Sequence, residues 1–178
     1  MSGPVRWTFI GGAVFFLACF VYLAGDLISN NTNLWNPPGP IKRLSVYFSM
    51  DRAWTGQGYP LPELMDRNYE GDVVVLDQNI MRAIKHFRGW TIEARTVSET
   101  GGTYRITVPS TFWRTFETLT LTKTPIPEGV RLSMSGRADG SLPDLGATRN
   151  SIIRFYHALD NEIALHPLVS VQDKQQPR

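Results

Sequence analysis

The stretch Phe116-Glu117-Thr118-Leu119-Thr120-Leu121-Thr122 alternates threonine with leucine at its centre. Successive side chains on a strand point to opposite faces, so this segment reads as a strand with one buried and one wet face. A doubly wound parallel sheet, covered on both sides, would show a continuous apolar run instead. The sheet is therefore expected to be antiparallel. Strand-like runs at 91–97, 103–108 and 130–134 surround it, and Glu99-Thr100-Gly101-Gly102 reads as a hairpin connection between the first two.

Upstream, Leu44, Val46, Phe48 and Met50 alternate with Ser45, Tyr47 and Ser49, which predicts a further strand within 41–50. Residues 51–71 carry Gly56, Gly58, Pro60 and Pro62 and read as a long irregular loop, a candidate contact surface. Val73-Val74-Val75-Leu76 reads as a short extended lead-in to a helix capped by Asp77 that runs to about Phe87, where Gly89 stops it. A last helix is expected to start at Thr148 or Asn150, with Ile152, Ile153, Phe155, Tyr156 and Leu159 on its apolar face. Together these give an α+β fold, an antiparallel sheet packed by two helices as a two-layer sandwich, followed by a polar tail at 171–178.

The amino-terminal part has a different character. Between Arg6 and Asp26 no residue is charged, and the apolar run from Trp7, extended by Leu27 and Ile28, is long enough to cross a hydrocarbon core about 30 Å thick. The apolar region of a signal peptide is shorter, about 7–15 residues, and ends in a small-x-small site rather than Asp26-Leu27-Ile28. Phe16-Leu17-Ala18-Cys19 resembles a lipoprotein processing site, but the apolar residues continue past Cys19. The expected organisation is thus a cytoplasmic amino terminus (1–6), an uncleaved anchor (7–29), a stiff, extended proline-rich linker (30–40), an exported domain (41–170) and the tail. Arg6 beside the amino terminus places that end in the cytoplasm, so the domain falls on the periplasmic side of a bacterial inner membrane. The Asn30-Asn31-Thr32 sequon is read as chance. Cys19 lies in the apolar segment and is the chain's one cysteine, so no disulfide framework is available. Thr8, Gly11, Ala18 and Gly25 form a small-residue stripe on the anchor, the last three at seven-residue spacing; it is read as a helix-docking face, the alternative being that Gly and Ala are simply common in membrane helices.

Over the 178 residues, 18 Lys+Arg against 16 Asp+Glu leave a net charge of +2, and the bases are scattered, so no nucleic-acid footprint exists. His86, His157 and His166 stand far apart, without the spacings of a zinc or haem motif, and no metal or cofactor is expected. Neither GxSxG, a Walker loop nor GxGxxG occurs; assigning Ser110 or Ser141 to a triad on sequence alone has almost no specificity. Trp54, Trp90 and Trp113 are read as core or interface residues. The densest polar segment, Ser135 to Asn150, offers Arg137, Asp139, Asp144 and Arg149 as a possible anion or ligand cleft. The stronger reading of the same residues is a structural turn, with Asp as cap, Gly at positive φ and the arginines paired to the aspartates.

At this segment the chain resembles the uncharacterised bacterial and plastid family called domain of unknown function fourteen ninety-nine, with a motif of the type Arg-Ser-x-Ser-Arg-x-Gly-x-Ser-Asp-x-Gly-x-Asn-Arg before a final helix. The matching residues are Ser135, Arg137, Gly140, Asp144, Gly146 and Arg149, and the resemblance extends over about 89–159. The chain has extra residues around Ser141-Leu142, carries Thr148 where the family has Asn, and lacks the family's early cysteine. The resemblance implies an exported or membrane-tethered α+β domain and no established reaction.

The functional expectation is a non-catalytic accessory subunit of a larger membrane complex, respiratory or photosynthetic for instance, with membrane lipid and other subunits as partners. The alternative is a membrane-tethered domain that binds a small molecule or lipid in a pocket between sheet and helices, with Arg137 or Arg149 meeting an anionic head group.

Overall fold

A computed structural model describes residues 3–98, 101–109, 116–140 and 143–168. Glu99 and Thr100 of the expected hairpin, Ser110, Trp113, Ser141, Leu142 and the tail at 171–178 lie outside the described residues. An apolar helix, α1 (Gly3–Ser29), leads into α2 (Pro40–Ser49), two short strands β1 (Arg52–Trp54) and β2 (Arg67–Tyr69), and α3 (Val73–Lys85). The strands β3 (Thr91–Val97), β4 (Gly102–Pro109), β5 (Phe116–Ile126) and β6 (Gly129–Ala138) follow, and α4 (Ala147–Leu165) closes the domain.

The sheet is antiparallel in the order β1-β6-β5-β4-β3, with β2 also pairing β6. The register places Leu119 opposite Gly136 and Ile106, and Leu121 opposite Met134 and Tyr104, all on the covered face. Thr118, Thr120 and Thr122 take the other face, as the alternation requires. The inward row of β5 also begins with Glu117 and ends with Lys123, both buried. Leu76, Ile80, Ala83 and Ile84 of α3 and Ile152, Phe155, Tyr156 and Leu159 of α4 fill the core against this face. The α+β sandwich is therefore present.

Four local expectations are corrected. The segment read as a strand at 41–50 is the helix α2. Pro40 opens it with φ already helical and no N–H to lose, and Arg43, Val46, Tyr47 and Met50 then fall on one inward face. That burial outweighs the period-two pattern of the same residues. Val73-Val74-Val75-Leu76 is the first turn of α3 rather than extended chain, because the Asp72 carboxylate accepts from Val74 N at 2.7 Å and Val75 N at 3.4 Å. Asp77 is accordingly not a cap; it turns inward to Lys123. The loop at 51–71 contributes β1 and β2, which lie along different stretches of β6. Between them Thr55 N donates to Met134 O, and Thr55 Oγ1 donates to Asp66. Finally, α4 starts at Ala147, after Gly146 at φ 85°.

Candidate functional site

The first turns after α1 fold back upon it. Asn30 N donates to Asp26 O, and Thr32 donates to Leu27 O from both N and Oγ1, while Asn31 sits at φ 50° and ends the helix. Short turns continue through Asn33, Asn36 and Gly39, so 30–40 is a folded connector rather than an extended one. Leu27 and Leu34 pack against Val46, Tyr47 and Leu61, a small cluster apart from the main core. Asn30 Nδ2 donates to Leu145 O at 3.3 Å. Gly146 comes so close to Thr32 and Tyr47 that a Cβ there would lie 3.1 Å from the Thr32 methyl and 3.2 Å from the Tyr47 ring.

Charge holds this junction together. Arg43, 1% exposed, donates from Nη1 and Nη2 to the two oxygens of Glu63 at 2.8 and 2.9 Å. Its remaining donors reach Asn36 O, Pro37 O and Tyr47 Oη. Arg149 Nε donates to Glu63 Oε1 at 2.5 Å and Arg149 Nη1 to Asn31 O at 3.4 Å. One carboxylate therefore serves two buried guanidiniums. Burial alone would raise Glu63, but the two arginines hold it below the usual carboxylate range. Burial likewise drives Tyr59 upward, and the Asp144 carboxylate adds to the rise.

The residues of the Ser135–Asn150 segment do not converge on one cleft. Arg137 Nε donates to Asp51 at 2.9 Å from the solvent side of β6. Asp139 is exposed, and its backbone N–H donates to Phe116 O. Asp144 accepts from Gly146 N at 2.9 Å and Thr148 N at 3.1 Å, so it shapes the turn into α4; burial raises its carboxyl despite those two bonds. Arg149 lies in the helix layer, at the junction. The Glu63 link between Arg43 and Arg149 has no local sequence signal, because its partners lie 20 and 86 residues away.

Other polar groups lie inside the domain. Lys123 Nζ and Tyr104 Oη both donate to Asp77 Oδ1, at 2.6 and 2.8 Å, with Arg95 at 3.7 Å. Ser151 donates to Glu117 at 2.9 Å; burial pushes the Glu117 carboxyl up to about 7, against that hydrogen bond, and Asp144 adds to the rise. His86 contacts the buried Glu162 at 2.6 Å and His166 approaches it at 3.9 Å, beside an open groove of about 400 Å³ lined by Phe87, Arg154 and Leu165. Two histidines far apart in sequence thus share one carboxylate, while His157 is exposed elsewhere on α4. Among the described residues no three His, Cys, Asp or Glu side chains are grouped as metal ligands.

Thr8, Gly11, Ala18 and Gly25 are all exposed along α1. Among the described residues α1 is the one helix long and apolar enough to cross a membrane, over Thr8–Ser29. No family model matches the chain, and no curated protein matches it.

Proposed function

We propose that the chain is a single-pass membrane-anchored, non-catalytic accessory subunit of a larger membrane protein complex, with its α+β domain on the periplasmic face of a bacterial inner membrane. The observation that carries this reading is the mounting of the domain. The apolar helix is exposed down to its last turn rather than used as core, and its base is hydrogen-bonded to the domain through Asn30 and Arg149. A cleaved leader has no use for such a joint. Arg6 at the amino-terminal end of α1 supports this orientation by the positive-inside rule. Membership in the family of unknown function, if the turn motif before α4 reflects it, would likewise imply an exported, tethered domain.

Extraction of the full chain from its native membrane in mild detergent, followed by mass analysis of what stays bound, tests the reading. A stoichiometric set of membrane subunits is the expected result; a retained small molecule in its place would favour the ligand-binding alternative. The small-residue stripe gives a second arm. An added Cβ at Gly11 or Gly25 meets nothing within 4 Å beyond its own stretch of helix, so bulk there affects a neighbour rather than the fold. Gly11→Leu with Ala18→Leu is expected to reduce subunit retention, and Phe9→Leu with Phe16→Leu to preserve it. Equal retention would reduce the helix to a tether. Protease added to intact spheroplasts is expected to digest the domain and spare the anchor.

A further inference from the structure

The helix α2 has two apolar stripes, and the domain uses only one. Arg43, Val46, Tyr47 and Met50 face inward; Ile41, Leu44, Ser45 and Phe48, at the same helical spacing, form the opposite side. Ile41 is 86% exposed and Phe48 44%, and Trp35, in the connector just before the helix, is 85% exposed. Isolated exposed apolar residues are ordinary, but Ile41 and Phe48 share one face of α2, and Trp35 precedes them in the same short segment. The segment also has one sign of charge: between Asp26 and Asp51 there is no acidic residue, while Lys42 is exposed next to Ile41.

We propose that α2 is an interfacial helix, with Trp35, Ile41, Leu44 and Phe48 seated in the head-group region of the leaflet from which α1 emerges and Lys42 directed at anionic lipid phosphates. This rests on the reading of α1 as a membrane span. The lipid surface is the occupant because the segment is continuous with the span. Trp35 follows the end of α1 by six residues, and the first three of them hydrogen-bond back to its last turn, so the ring stays within a short connector's reach of the point where α1 leaves the hydrocarbon. Indole rings favour that zone, apolar helix faces sink into the head-group and acyl boundary, and a basic residue adds attraction to an anionic leaflet. Arg43 and Glu63 then fix which way the domain faces, since they tie α2 to the loop at 60–66 and to α4. The domain would sit on the bilayer rather than sway above it.

The test uses the full chain with Cys19→Ser, reconstituted in vesicles of phosphatidylcholine and phosphatidylglycerol, with a polarity-sensitive fluorophore on single cysteines: Ile41→Cys, Phe48→Cys, Val14→Cys within α1, and Thr120→Cys on the wet face of the sheet. Spin-labelled lipids report depth and aqueous iodide reports exposure. Probes at 41 and 48 are expected to be quenched by head-group-level spin labels, with a several-fold loss of iodide quenching relative to 120, and the probe at 14 by acyl-chain labels. Quenching at 14 with 41 and 48 open to iodide would overturn the interfacial helix and leave the span intact. Absence of lipid quenching at 14 would overturn the span itself. Protection of 41 and 48 from iodide without lipid quenching would mean a protein surface covers them, a second copy included, and would also overturn the proposal.

Discussion

Arg149 Nε donates to Glu63 Oε1 at 2.5 Å, joining residues 86 apart in sequence at the point where the apolar helix meets the domain. The same oxygen accepts from Arg43, so the site carries two buried positive charges on one negative. Removing the carboxylate is therefore more damaging than removing either arginine, because it leaves both guanidiniums without a counter-charge. Breaking a buried pair costs about 3–5 kcal/mol; with Glu63 itself 23% exposed, the lower end, about 3 kcal/mol, is expected for Glu63→Gln. Chemical denaturation of the domain in the detergent-solubilised chain should show that loss, with a smaller one for Arg149→Ala. The reverse order would mean that Glu63 is not the shared counter-ion.

Arg137 and Asp144 belong to the same polar segment, but only Asp144 is expected to matter for stability. Arg137 is 65% exposed and pairs with Asp51 at the surface, where such pairs contribute about 0–1 kcal/mol. Asp144 accepts two backbone N–H groups at the start of α4, and losing a cap of this kind costs about 0.5–2 kcal/mol. Asp144→Ala should lower Tm clearly, Asp144→Asn should recover most of it because an amide oxygen still accepts, and Arg137→Ala should change it little. Equal losses for the two alanine variants would contradict this division.

The sheet was legible because its central strands keep period two over many residues, as in Leu119 and Leu121 against Thr118, Thr120 and Thr122. The helix α2 was not, because 41–50 satisfies both periods. Its helical face includes Arg43, a residue that ordinarily marks a solvated position, and the apolar alternation of Leu44, Val46, Phe48 and Met50 dominates by eye. Val73 to Leu76 is a related case: three β-branched residues favour a strand locally, and the single carboxylate of Asp72 overrides them. Among the candidate site residues, Asp144 and Arg149 were visible as a turn, whereas Glu63 sat in a proline-flanked loop with nothing to distinguish it.

Glu117 makes stability depend on pH. Its carboxyl has an ordinary value of 4.5 and is raised to about 7 in the folded domain. The folded state therefore holds a proton that the unfolded state releases between those limits, so stability falls as pH rises from about 4.5 through 7 and the deficit persists above. Glu117→Gln keeps an acceptor for Ser151 and removes the ionisation. At pH 8 it should be more stable than the parent by up to about 3 kcal/mol, and near pH 4 the two should coincide. Denaturant titrations across pH 4–8 check this; a variant less stable than the parent at pH 8 would show that the carboxylate is held in its charged form.

Gly146 tests how tightly the base of α1 is joined to the domain. It occupies the left-handed region at φ 85°, where an added Cβ costs about 1–2 kcal/mol, and that Cβ would also press on the Thr32 methyl at 3.1 Å and the Tyr47 ring at 3.2 Å. The two costs can be separated. Asn tolerates the left-handed conformation better than Ala but has the same Cβ, so Gly146→Asn relieves strain without relieving contact. Thr32→Ser relieves the contact with the Thr32 methyl, leaving that with Tyr47, without relieving strain, and its hydroxyl can still donate to Leu27 O as Thr32 does. Gly146→Ala should lower Tm, Thr32→Ser in the same chain should restore part of the loss, and Gly146→Asn should fall between parent and alanine variant. If Thr32→Ser restores nothing while Gly146→Asn restores everything, backbone strain alone makes glycine necessary and Thr32 does not press on the domain. If Gly146→Ala leaves Tm unchanged, the turn can relax away from the helix base, and the joint between α1 and α4 is looser than these distances require.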